Sequence, residues 1–94
     1  SRTAIGRAYY AAFLMVKRKL EQLGSSFTDV HRLHEEVIKS VTERNSNLGN
    51  KLETLRSYRV NADYEMNTRL NEEIGRRCVM ISRNVIHSLN LIHS

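Results

Sequence analysis

The chain has 94 residues, enough for one domain with a modest core, so residues 1–94 are read as a single unit. It contains no proline, no tryptophan and only four glycines, which leaves a sheet short of turn residues and favours continuous helices. The formal charge of +5 comes mainly from the first and last quarters of the chain and suits a phosphate-bearing partner without requiring one.

No segment approaches the 18 or more apolar residues of a membrane span, and no basic-then-apolar signal opens the chain. A membrane partner is therefore not expected, and the expected location is cytoplasmic. Cys78 is the single cysteine, so it cannot form an internal disulfide, and it is read as a small buried hydrophobe. The chain opens without methionine inside a helical pattern, which points to a longer natural protein.

A first helix is predicted from about Arg2 to Leu23. Ile5, Tyr9, Ala12 or Phe13, Val16, Leu20 and Leu23 form its buried stripe, and Gly24 stops it. Ala4, Ala8, Ala11 and Met15 form a second, small-residue strip that admits another helix, from this chain or from a second copy. KRK at 17–19 reads as a solvated face. After the loop GSSFTD, Thr28 or Asp29 caps a second helix, with Val30, Leu33, Val37 and Val41 facing inward until about Arg44. His31, His34 and Glu35 lack a further ligand at a recognisable spacing, so they are read as exposed helix-start residues and no metal is expected.

The polar run NSN marks a second loop, and a third helix is predicted from near Leu48. Its inward stripe runs Leu48, Leu52, Leu55, position 59, Ala62 and Met66, at intervals of four, three, four, three and four. Position 59 is an arginine where leucine would be expected. Asn67 or Thr68 caps a fourth helix of about seven turns, whose stripe is Leu70, Ile74, Cys78, Ile81, Val85, Leu89 and Ile92. Val79, Ile86 and Leu91 fall off that stripe and make a second apolar face for a partner subunit to cover. Short connections between amphipathic helices predict an all-α, up-and-down antiparallel four-helix bundle. No phosphate-cradling glycine loop and no nucleophile elbow is present, and no cofactor is expected.

Two readings of Arg59 compete. It either pairs with Asp63 one turn later, or it serves a site. Arg56, Arg59 and Asp63 share a face, and two arginines against one aspartate leave a positive charge uncompensated. Sealing an arginine in a core costs several kcal/mol unless bonds offset it, and leucine would fill the space more cheaply. A polar cleft is the better reading.

RAYYAAF at 7–13, a histidine at the start of the second helix (His31) and LRSYRVNADYE at 55–65 together resemble the HEPN superfamily. The likeness is greatest to its small stand-alone members with an RAYYAxF first helix and an RxxADY third helix. It spans nearly the whole chain in the expected order. What it implies is an all-α bundle that forms a homodimer with a polar motif at a shared cleft. Many such proteins are metal-independent endoribonucleases, found as toxins, in antiviral defence, or beside a small nucleotidyltransferase. Their hallmark is an arginine followed, after four to six residues, by a histidine. Here Arg59 takes the arginine's place and Tyr64 stands where the histidine would be. Val60 occupies the usual polar position, with Asn61 next.

Carried over, the resemblance makes Arg59, Asp63 and Tyr64 the catalytic candidates. It makes Arg56, Arg59, Asn61, Arg7 and Tyr10 the candidates for holding RNA or nucleotide phosphate. A phenol titrates near ~10 and is a poor base at neutral pH. Losing a positioned histidine forfeits on the order of 10²–10⁴ in rate. Cleavage, if any, is expected to be slow or to recruit another histidine; the alternative is a non-catalytic helical dimerisation module. Arg83 and His87, in SRNVIH, form a second arginine–histidine pair with a gap too short for the hallmark. A nucleotidyltransferase antitoxin is the further partner the resemblance implies, with Tyr64 and Tyr58 as the tyrosines it would modify.

Overall fold

Apolar residues recurring every three or four positions bend this chain into helices that share one core. The computed structural model describes residues 2–62 and 68–93. Among these lie four α-helices, α1 (Arg2–Gln22), α2 (Leu33–Arg44), α3 (Ser46–Ala62) and α4 (Thr68–His87), with 3-10 turns at Val30–Arg32 and Leu89–Leu91. They pack as an all-helical bundle in which α1 touches each of the other three helices.

The predicted stripes form its core. Ile5, Tyr9, Ala12, Phe13, Val16 and Leu20 of α1 are buried against Val37 and Val41 of α2 and Leu48, Leu52 and Leu55 of α3. From the C-terminal end, Cys78, Val85 and Ile92 close it. Burial pushes the Cys78 thiol up, away from the reactive thiolate, as suits a small hydrophobe.

Three local readings are corrected. Val30 is 77% exposed, because the second helix opens with a 3-10 turn and Ile38, not Val30, joins Val37 and Val41 inside. Helix α3 starts at Ser46, two residues before the expected Leu48. The fourth helix ends at His87, and a turn at Ser88 leads into the 3-10 segment that seats Ile92 in the core. The expected cap at Asn67 and the inward Met66 lie outside the described residues.

The helix breaks rest on specific residues. Gly24 ends α1 at φ +105, a left-handed backbone that a side chain would strain, and Ser25 N–H donates back to the Leu20 carbonyl at 3.0 Å. Asp29 Oδ1 accepts from His31 N–H at 3.0 Å and so caps the 3-10 turn.

Asn45 alone separates α2 from α3. Its backbone N–H donates to the Val41 carbonyl at 2.7 Å, closing α2. Its Oδ1 accepts from Leu48 N–H at 3.1 Å, opening α3, and its Nδ2 donates to the Leu91 carbonyl at 3.3 Å. So tight a corner presses the two helices together. A Cβ on Gly49 would fall on the Thr42 hydroxyl and lie 2.6 Å from the Thr42 Cα, so only glycine fits there.

Two stability effects are expected. Gly49→Ala should lower unfolding free energy by about 1–3 kcal/mol, because backbone as well as side chain must yield. Asn45→Ala should cost about 1 kcal/mol through the lost cap, and Asn45→Asp should keep most of it. Urea unfolding followed by circular dichroism reads both; a Gly49→Ala protein as stable as the parent would contradict the close crossing.

Candidate functional site

The arginine in the α3 stripe is not sealed. Leu48, Leu52, Leu55 and Ala62 are buried as the spacing requires, but Arg59 between them is half-exposed. Its guanidinium carbon lies 5.0 Å from the ring centroid of Tyr10 and 5.9 Å from that of Tyr9. Such contacts hold a cation by the negative face of the ring, worth about 0.5–2 kcal/mol, without neutralising its charge. Arg56, one turn earlier, is also half-exposed. Among the described residues neither arginine pairs with a carboxylate. Asp63 and Tyr64 lie outside the described residues.

Under the arginines sits an aromatic stack. Phe13 and the ring of His34 are 4.3 Å apart and 18° from parallel. Tyr9 lies 5.6 Å from the same imidazole, and Tyr10 meets it edge-on at 6.0 Å. The Tyr9 hydroxyl and His34 Nδ1 share a hydrogen bond of 2.6 Å. Three helices therefore converge: α1 brings three rings, α2 the histidine and α3 the two arginines. Tyr9 is buried and Tyr10 exposed, yet their ring centroids lie 5.7 Å apart and both rings meet the Arg59 guanidinium.

The electrostatics follow from that packing. Burial pushes the Tyr9 phenol up to about 12, against the opposing pull of Arg56 and Arg59. The hydroxyl thus keeps its proton at neutral pH. Burial also lowers the pKa of His34, and the positive charges of Arg56 and Arg59 lower it further. His34 is a neutral imidazole beside two cations.

His34 was read as an exposed helix-start residue, and here the structure disagrees. His31 is exposed, but His34 is half-buried under Tyr9, and Glu35 turns away towards Arg32 at 3.6 Å. The three do not converge. A signal was present in the sequence, since His34 stands three, four and seven residues before Val37, Ile38 and Val41, on their buried face.

The other candidates are dispersed. Asn61 is exposed and lines a shallow pocket of about 230 Å³ with Glu53, Arg56, Ser57 and Val60, so Arg56 borders both this pocket and the aromatic stack. Arg7 lies elsewhere, at an apolar groove of about 380 Å³ between α1 and α4, with Arg83 on the same groove. Asn84, between Arg83 and His87, accepts a hydrogen bond from Lys51. Tyr58 is half-buried and accepts from Arg77 at 3.4 Å.

Compared with known families, the chain matches the HEPN domain over residues 2–92. No curated protein and no solved structure gives a significant match. No described helix is long and apolar enough to cross a membrane.

The lowered pKa of His34 fixes the sign of a pH effect. Between the folded and unfolded pKa values the unfolded chain binds more protons, so stability rises with pH there. The contribution of His34 is fully present above about 6.5, its unfolded value, and fades as pH falls towards the lower folded value. Thermal melts between pH 5 and pH 8 should show this slope flattened in His34→Gln. An unchanged slope would mean that His34 titrates as a free imidazole.

Proposed function

The chain belongs to the HEPN family, and from that premise we propose that Arg56 and Arg59 bind the phosphates of RNA or a nucleotide. The observation that carries this reading is Arg59 half-exposed over Tyr10, at 5.0 Å, with no carboxylate partner among the described residues. A guanidinium offers a planar fork of donors that matches two phosphate oxygens, and an aromatic backing leaves that fork free. Tyr10, 41% exposed, offers a ring on which a base can stack.

Cleavage is the finer part of the proposal. In it Arg59 neutralises the scissile phosphate, while Asp63 and Tyr64 complete the motif after α3. With tyrosine in the histidine's place, a metal-independent endoribonuclease of this kind turns over slowly. A role in toxin–antitoxin or antiviral systems, with a nucleotidyltransferase as antitoxin, belongs to the same proposal. Of the two tyrosines suited to its control, Tyr58 is already engaged by Arg77.

A second reading is a non-catalytic dimerisation module, and the α1–α4 face favours it. Ala4, Ala8, Ala11, Val79 and Ile86 line the groove there, and Met80 beside it is 71% exposed. Apolar surface of this kind suits a second copy of the chain. Homodimerisation is common to both readings.

Metal-free incubation with single-stranded and structured RNA separates them. Arg59→Ala should weaken RNA binding about 10–100-fold, the worth of a charged hydrogen-bonding group, and abolish whatever cleavage the parent shows. Binding without cleavage at high protein concentration selects the module; an Arg59→Ala protein that is folded and binds normally removes the phosphate site. Light scattering should report a dimer that Met80→Glu dissociates.

A further inference from the structure

We infer that His34 is a third, uncharged donor to the anion held by Arg56 and Arg59, its Nε2–H kept outward by the Tyr9 hydroxyl. The inference rests on the phosphate-binding reading and adds a residue and a tautomer to it.

The geometry begins with a buried proton. Tyr9 is 0% exposed, and among the described residues its hydroxyl has one hydrogen-bond partner, His34 Nδ1 at 2.6 Å. A neutral imidazole has one N–H, and two arrangements are open to it. In the first, the phenol donates to Nδ1 and the ring proton sits on Nε2. In the second, Nδ1–H donates to the phenol oxygen, and the Tyr9 proton is left without an acceptor in a dry site. A buried unsatisfied donor disfavours the second arrangement by a factor of about 10–100. Nε2 therefore carries the proton.

The neighbours hold the plane of the ring, and a 180° flip into the same plane would forfeit the Tyr9 bond. Phe13 stacks on it at 4.3 Å, and Tyr9 covers it at 24° from parallel. Nε2 itself is not fully sealed from solvent. Among the described residues, Arg44 Nε is the only buried side-chain nitrogen or oxygen lacking a partner, and Nε2 has no hydrogen bond. An oriented N–H remains. It lies on the same rings as the arginine, since the Tyr10 centroid is 6.0 Å from the imidazole and 5.0 Å from the Arg59 guanidinium carbon.

The same assignment excludes the more familiar use of a histidine. A general base needs a lone pair facing the substrate, and here that lone pair is spent on Tyr9. Protonating Nδ1 would reverse the Tyr9 bond and strand the phenol proton, beside two cations, so a charged imidazolium is disfavoured as well. His34 polarises and holds; it does not abstract a proton. Among the described residues the groups facing it are Phe13, Tyr9 and Tyr10 of α1 and Arg56 and Arg59 of α3, and no carboxylate among them would favour the charged form.

Nitrogen-15 NMR of the imidazoles in the full chain tests the tautomer directly. The expected spectrum has His34 protonated at Nε2 and unprotonated at Nδ1 near neutral pH, with Tyr9→Phe releasing it to a mixture. A His34 ring protonated at Nδ1 would overturn the inference. Binding of a labelled single-stranded RNA oligonucleotide supplies the second arm. His34→Gln, which keeps a donor near the Nε2 position, should bind within about 3-fold of the parent, and His34→Leu should lose about 10-fold. If folded His34→Leu matches the parent while Arg59→Ala loses affinity, only the role of His34 falls. If Arg59→Ala also binds normally, the phosphate site falls with it. The NMR arm uses the unmodified protein and so survives a variant that fails to fold.

Discussion

A tyrosine sunk in a helical core must still place its hydroxyl proton. In this bundle Tyr9 is covered by three helices and meets His34 Nδ1 at 2.6 Å. That one bond crosses from α1 to α2 and fixes the ring above which α3 lays its arginines. Removing the acceptor would leave a polar group stranded among Phe13, Tyr10 and the leucines of α3. The arrangement of the surface cluster therefore depends on satisfying a group in the interior.

The two arginines are tolerated because they are neither buried nor fully free. Arg59 rests on two aromatic faces, which attract a cation without occupying its donors, and among the described residues no carboxylate pairs with it. An ion pair would have stabilised the charge and removed it from use. The cost appears in the neighbours, since both arginines resist a charge on His34 and pull against the burial that keeps Tyr9 protonated. Both groups accordingly stay neutral beside the two cations.

The remainder of the fold serves this placement. Asn45 closes α2 and opens α3 with a single residue, and Gly49 lets α3 come within a methyl group's width of Thr42. A looser corner would not fix the start of α2, where His34 sits, against α3, where Arg56 and Arg59 sit. On the opposite flank the α1–α4 groove is apolar and carries Arg7 and Arg83 at its edge. The arginine–aromatic cluster and the apolar groove are thus separate features of one small molecule.

The all-helical class and the anomaly at position 59 were both legible in the sequence. Periodicity alone reports which residues of a helix face inward, and one charged residue on a stripe of leucines shows against that background. The residue-type pattern RAYYAAF with RVNADY likewise pointed to the HEPN domain that the chain matches. His34 went unread because a histidine in a first turn has two ordinary fates, solvent or core. Which one applies depends on how far a preceding 3-10 turn rotates the helix, and that rotation also put Val30 outside. The partnership of Tyr9 with His34, 25 residues apart in the chain, is likewise a product of packing. Local spacing fixes the face of a helix, but only the meeting of three helices decides which side chains share a proton.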